Sequence, residues 1–443
     1  MSFLGLVKSH LTQMPFFVGK SVSLVPYNCR PGLAGTYRQR TAEISQVGFL
    51  SPDDQKEFIF RRVQEIAIYA NRNIPFYVNL YRGSDVQPER FNSFYDLSNL
   101  PVITKADLQK VPLEHRSIER PGRSLVNTGG SSGQPLEFFI EPDSIGHEWA
   151  HMHHIWNKLS FKQSDLKVVF GGRADVRSIV QYDSARHQIN VDLYSGWPAI
   201  ADSLLQIFKK YSPKYLHGYP SSLFDFVIWL ESVGHPLFPV LRKNIKGMFL
   251  GSEFPSPPLR EIVEKLLDCK GVSWYGHTER GVLAYEKEEH GCYHPFLTYG
   301  FAESLGEGRL VCTSYYNRAS PLIRYDTGDL VEPTYNEGLL EKFKINKGRE
   351  GEFVVDKLGN KIFLTGLIFG RHHELFDRAR HIQIYQPSSG MAEVLVTPRD
   401  ILTPESAAAS FDSSNVNLDF IFKILQEPVR TKAGKVPLLV KQP

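Results

Sequence analysis

The 443-residue sequence predicts a large α/β domain followed by a small α+β domain, and three observations carry that expectation. First, short apolar runs recur that stop abruptly at glycine: residues 166–170 before Gly171, 248–250 before Gly251, and 272–275 before Gly276. A buried strand that ends this way delivers side chains to a crevice at the carboxyl edge of an α/β sheet. Second, Leu259, Ile262, Val263, Leu266 and Leu267 recur at helical spacing between the last two runs, so the stretch reads strand–helix–strand. Third, the character changes after Asp329. Residues 336–350 are polar and rich in Lys and Gly, as a linker would be, and short strand candidates follow at 352–355 and 393–397, with an apolar segment at 420–425. The boundary falls near Asn346, giving units 1–346 and 347–443.

Earlier in the chain, Phe58, Ile59, Val63, Ile66 and Ala70 place a helix over residues 53–72, and Pro75, Pro88 and Pro101 punctuate a loop-rich stretch after it. A second helix starts at Asp143 or Ser144 and runs beyond His151. The composition is that of a soluble globular protein, with 42% hydrophobic and 22% charged residues. A net charge of +3 gives no field that would gather nucleic acid or an anionic membrane. Arg30, Arg38 and Arg40 read as a solvated loop. No apolar run approaches a membrane span, and four scattered cysteines without a CxxC pair suit a reducing compartment, so a cytoplasmic protein is expected.

Four motifs carry the chemistry. Residues 128–135, TGGSSGQP, offer backbone N–H groups and hydroxyls that can converge on phosphate oxygens without Cβ clashes. The GK[ST] ending of a Walker loop is absent, and Gln134 stands where a lysine would be expected. YGHTE, residues 275–279, follows an apolar strand: Tyr275 can stack on a base and Glu279 can hold Mg²⁺. RYDTGD, residues 324–329, offers Asp329 as an acceptor for two ribose hydroxyls. RTKAGK, residues 430–435, offers Lys435 as a mobile cation. Each alone is equally compatible with an ordinary turn or a basic tail. A fifth pattern competes with them: His147-Glu148-Trp149-Ala150-His151 is a literal HExxH, the spacing that puts two zinc-binding imidazoles on one helix face with a glutamate base. A zinc hydrolase using His147, Glu148 and His151 would leave the other four motifs unexplained. Cys269, Cys292, His294 and Cys312 match no zinc spacing and read as free cysteines and a histidine.

In order and spacing, the four motifs resemble those of the adenylate-forming superfamily of acyl-CoA synthetases, adenylation domains and luciferases. Residues 69–81, 97–109, 251–256 and 321–330 are similar to the phenylacetate–CoA ligase branch, and the C-terminal part resembles a subgroup associated with capsule polysaccharide. The resemblance covers residues from about 60 to 440. It implies a multi-sheet large domain, a small mobile domain, and ATP-dependent activation of a carboxylic acid as an acyl-adenylate, followed by transfer to a thiol such as CoA. The alternative acceptor is an amine. It implies that Thr128, Gly129, Gly130, Ser131, Ser132 and Gly133 cradle the phosphates. Ser252, Glu253, Tyr275, Gly276 and His277 surround the nucleotide, and Asp329 holds the ribose. Glu279 binds Mg²⁺, and Thr278, Arg349 and Lys435 join it in catalysis. The 347–352 segment would be the hinge.

An acyl pocket is expected between helix 147–156, residues 217–223 and residues 247–251, with His147, His151, His217, Tyr219 and Gly251 against a small or aromatic acid. No nucleic-acid partner or membrane span is expected, and the oligomeric state stays open between monomer and homodimer. Two departures weigh toward a silent nucleotide-binding relative: Gln134, and Gly351-Glu352 where an acidic pair is usual after the Gly-Arg pair.

Overall fold

The computed structural model describes residues 14–127, 136–171, 178–193, 195–251, 253–347, 353–359, 361–368, 373–414, 416–431 and 436–441. Two helices, α1 (Ala34–Val47) and α2 (Pro52–Asn73), open the described chain's main body. The second is the helix expected from the apolar stripe. Ser51 accepts the Asp54 N–H at 3.2 Å as its cap, Pro52 starts the first turn, and Ile59, Val63, Ile66 and Ala70 are buried along one face.

A short antiparallel pair, β1 (Ser124–Asn127) and β2 (Glu137–Ile140), precedes α3 (Asp143–Asn157). Then come β3 (Lys167–Phe170), β4 (Val180–Asp183), β5 (Gln188–Val191), α4 (Trp197–Lys210), β6 (Tyr215–Gly218), α5 (Pro220–Ser232), β7 (Gly247–Leu250), α6 (Pro257–Leu267) and β8 (Lys270–Gly276). A run of strands follows: β9 (Leu283–Glu286), β10 (Cys292–Pro295), β11 (Gly300–Leu305), β12 (Arg309–Ser314), β13 (Tyr325–Asn336) and β14 (Leu339–Lys347).

Twelve of these strands form one sheet in the order β11-β12-β13-β14-β10-β9-β8-β7-β6-β3-β5-β4. Strand β8 divides it. It runs parallel to β7 and antiparallel to β9, so one half is a crossover sheet and the other an antiparallel array in which β10 pairs with β14. The parallel half is covered on both faces, as its continuous apolar strands require. Leu216, Met248 and Leu250 meet Leu204 of α4, Phe226 of α5 and Val263 of α6. Tyr215, Phe249 and Val272 meet Ile155 and Trp156 of α3.

The antiparallel half curls. From β8 to β13 is four strand steps, about 19 Å in a flat sheet. Yet the Tyr275 hydroxyl on β8 lies 2.5 Å from the Asp329 carboxylate on β13. Tyrosine and aspartate side chains cannot span the flat distance, so the antiparallel half must close on itself.

The chain then builds β15 (Phe353–Val355), β16 (Lys361–Phe363), β17 (Ala379–Ser388), β18 (Met391–Pro398), α7 (Pro404–Ala409), β19 (Asp419–Ile424) and β20 (Leu439–Val440). A four-stranded sheet, β19-β18-β17-β20, carries a separate core of Val354, Leu375, Ile384, Val394, Val396 and Phe411.

Two expectations are corrected. Residues 339–347 are not a linker but strand β14: Leu339, Leu340 and Phe343 are buried, while Glu341 and Lys344 are exposed. Arg38 and Arg40 are not in a loop but on α1. Arg40 is buried, paired with Glu43, and its guanidinium sits 3.7 Å over the Tyr316 ring. No helix among the described residues is long and apolar enough to cross a membrane.

Candidate active site

The carboxyl end of β8 brings Tyr275 into the curl, where it is buried edge-on against Phe343 of β14 at 5.4 Å between ring centroids. Its hydroxyl donates to Asp329 Oδ2. The Asp-Thr-Gly turn sets the carboxylate in place: Asp326 Oδ1 accepts the Gly328 N–H at 3.0 Å, and Thr327 Oγ1 accepts the Asp329 N–H at 3.2 Å while donating to the Leu310 carbonyl. Gly328 sits at φ +74°, which a residue with a Cβ adopts only under strain.

Sequence reading missed the role of Arg324. It lies at φ +48°, and its guanidinium binds both Glu303 oxygens, at 2.7 and 3.0 Å, and the carbonyls of Ser98 and Leu100. The arginine of RYDTGD is therefore the anchor of the turn. Nothing in its local sequence marks those partners, which lie more than 200 residues upstream for the two carbonyls.

The turn after β8 holds His277 and Glu279. The Val282 N–H donates to His277 Nε2 at 3.3 Å, so Nδ1 carries the proton and donates to Glu279 Oε2 at 3.1 Å. The Tyr325 hydroxyl approaches the other Glu279 oxygen at 3.4 Å. Thr278 and Gly276 are exposed beside them. Arg280, at φ +56°, ties this turn to α3 through Glu148, 3.9 Å away, and Glu148 also accepts the Tyr299 hydroxyl.

The HEWAH helix is thus a brace. His151 is fully buried. Its Nδ1 faces the His147 carbonyl at 2.8 Å, which can only accept, so Nε2 takes the Thr298 hydroxyl at 2.9 Å. Both ring nitrogens are engaged, which leaves no lone pair for zinc. His147 packs on Tyr299 at 4.5 Å. Burial drives the His151 pKa down to about 3 and lowers that of His147, so both rings are neutral near pH 7. Among the described residues no three His, Cys, Asp or Glu side chains are grouped to hold a metal ion. All four cysteines are free, and β14 and β13 lie between the strands of Cys292 and Cys312.

The polar-aromatic acyl pocket expected beside α3 is filled at its inner end. Trp156 stacks on Phe249 at 4.7 Å and 14°, and His217 lies 5.2 Å from the Trp156 ring and 5.8 Å from Trp274. Gly251 has no room for a side chain, since a Cβ would stand 2.4 Å from Trp274. Tyr219 donates its N–H to the Phe170 carbonyl at 3.1 Å. A cavity of about 330 Å³ does open along α3, between it and α1, lined by Tyr37, Thr41, His153, His154, Asn157 and Gln163.

Glu253 joins two parts of the chain. One oxygen accepts the Ser221 N–H of α5 at 3.2 Å, and the other accepts the Val436 N–H at 3.3 Å. Thr128, Gly129, Gly130, Ser131, Ser132, Gly133, Ser252, Arg349 and Lys435 lie outside the described residues, as do Gln134 and Gly351. Strands β1 and β2, which precede and follow the first motif in the chain, pair Asn127 with Glu137.

No family model matches the chain. Protein CapK of Staphylococcus aureus is 21% identical over 291 residues, covering 63% of this chain and 63% of that protein, so the chain spans less than two thirds of that relative's length. Among solved structures, a 2-hydroxyisobutyryl-CoA ligase in the postadenylation state, bound to 2-HIB-AMP, aligns with a TM-score of 0.63 and 16% identity over 87% of this chain and 89% of its own. An acyl acid amido synthetase aligns with a TM-score of 0.60 and 13% identity over 92% of this chain and 95% of its own. Alignments that span nearly the whole of both chains are not made by one shared half-sheet, and the chain has the fold of the adenylate-forming enzymes.

Proposed function

We propose that the chain is an AMP-forming carboxylate ligase. A carboxylate oxygen of the acid attacks the α-phosphorus of ATP, the bond to the bridging oxygen breaks, and pyrophosphate leaves. An acceptor thiol or amine then attacks the acyl carbon, gives up its proton, and AMP leaves. The observation that carries this reading is the Tyr275–Asp329 hydrogen bond, which joins two motifs 54 residues apart at one sheet edge, beside Glu279. Aligned CoA ligases and an amido synthetase with the same fold support it.

In this reading Asp329 accepts from the ribose hydroxyls, and Tyr275 fixes its orientation. Gly276, His277, Ser252 and Glu253 surround the nucleotide, and Thr128 to Gly133 take the phosphates. Glu279, oriented by His277 and Tyr325, is a hard oxygen donor of the kind Mg²⁺ takes once or twice alongside phosphate oxygens and water. Bound there, Mg²⁺ would neutralise phosphate charge. Thr278 reaches toward the same phosphates, and Arg349 and Lys435 supply cations to the adenylation transition state, where chemistry depends on positioning and charge. Units 1–346 and 347–443 move relative to each other between the two steps. Free cysteines throughout favour the cytoplasm.

The acceptor is CoA or another thiol in the first reading. The resemblance to a capsule-associated subgroup supports an amine acceptor, in surface-polysaccharide decoration, as the second. Pyrophosphate release from Mg-ATP across a panel of carboxylic acids, with hydroxylamine as general acceptor, tests the proposal. Acid-dependent release is expected, falling on the order of a hundredfold in Lys435→Ala. ATP binding with no release for any acid would instead support the silent relative. CoA and amines competing for the adenylate then decide the acceptor.

A further inference from the structure

We propose that Asp225 is a positioning residue that docks the C-terminal unit on the large one for the adenylation half-reaction; this rests on the ligase reading above. Asp225 lies in the second turn of α5 and is fully buried. Its Oδ2 accepts from His381 Nε2 on β17 and stands 3.4 Å from Arg430 Nη2. Arg430 also donates from Nη1 to Ser222 Oγ at 2.9 Å, and its guanidinium lies 5.8 Å over Trp197.

A buried carboxylate is costly unless it is paired. Both hydrogen-bond partners of Asp225 come from beyond residue 380, and its Oδ1 has none among the described residues. Its charge is therefore compensated by one arrangement of the two units. Withdrawal of the C-terminal unit would take both partners from the carboxylate, so the charge favours the docked arrangement. The same contact aims the chemistry. Arg430 and Val436 flank residues 432–435, and each is held by a carboxylate of the large unit, Asp225 on one side and Glu253 on the other.

Two readouts test this. In the first, Asp225→Asn keeps the side-chain volume and removes the charge. It is expected to lower the adenylation rate at least tenfold with the KM for ATP within twofold, while single-turnover transfer from preformed acyl-adenylate stays within twofold. Arg430→Ala should do the same and Arg430→Lys should restore most of the rate. Equal loss in both half-reactions, or no loss in either, would overturn the proposal.

The second readout needs no substrate. Spin labels on Val233→Cys and Ile421→Cys, exposed positions on the two units, report their separation once Cys29 and Cys269 are replaced by serine. The distance distribution should be narrow with Asp225 in place and broad or lengthened in the Asp225→Asn variant. An unchanged distribution would overturn the docking role even in an active ligase. A changed distribution in a protein that activates no acid would uphold the docking role and remove the ligase reading.

Discussion

The two halves of the twelve-stranded sheet solve different problems. The parallel half, β5-β3-β6-β7-β8, is covered on both faces by helices, and Val168, Phe170, Leu216, Met248, Phe249 and Leu250 give it an apolar centre. The antiparallel half runs from fully buried strands such as β9 to the half-exposed β13, and it curls until its first and fifth strands touch through Tyr275 and Asp329. The first half is a scaffold whose stability is aromatic and aliphatic burial. The second is curved, and the curvature assembles the polar site. Strand β8 belongs to both, so the YGHTE turn at its end is held by the scaffold and faces the curl.

If that division is right, stability and nucleotide binding should separate by half. Trp156→Ala in the scaffold removes a ring that is 1% exposed and stacked on Phe249. It should cost about 3–5 kcal/mol in denaturant unfolding while the folded protein binds ATP within about twofold of normal. A large loss of ATP affinity at full folding would break the division.

The next effect is on pH. Burial holds His153 as well as His151 at about 3, and His147 below its usual value. Each folded-state pKa lies below the unfolded value of about 6.5, so the unfolded chain binds more protons. Their contribution is fully present above about pH 6.5 and is lost as pH falls toward about 3. Urea midpoints should drop between about pH 7 and about pH 5, and His153→Gln should flatten that slope.

A smaller effect belongs to the curl. Tyr275→Phe deletes the hydroxyl that orients Asp329, and should weaken ATP binding roughly tenfold, about 1.4 kcal/mol, with little change in melting temperature. The smallest concerns the turn that sets the register of β13 on β14. Glu337 and Gly338 connect the paired Asn336 and Leu339, both with positive φ, +47° and +83°. That is a type I′ turn, for which Asn-Gly is preferred, so Glu337→Asn should stabilise by about 0.5–1 kcal/mol.

The scaffold was legible in the sequence because its signals are local. The stripe over residues 53–72 and the runs at 166–170, 248–250 and 272–275 each became the expected helix or strand, since a strand buried on both faces must be apolar throughout. The antiparallel half was not. Lys342, Lys344 and Lys347 made β14 look like a linker, although Phe343 between two of them is fully buried. The motifs named the residues that meet, but the meeting of Tyr275 with Asp329 depends on sheet curvature, which no spacing encodes. The HEWAH spacing, set aside because it left the other four motifs unexplained, belongs to histidines that pack on Thr298 and Tyr299, far along the chain. Arg324 and Asp225 were invisible for the same reason: their partners are distant in sequence and ordinary in type.

The central claim is that the curl makes a nucleotide site around Asp329. Calorimetric titration of Mg-ATP into the protein and into Asp329→Asn tests it most directly. Affinity at least tenfold weaker in the variant, with its melting temperature preserved, is the expected result. Equal affinity in the two proteins would contradict the account.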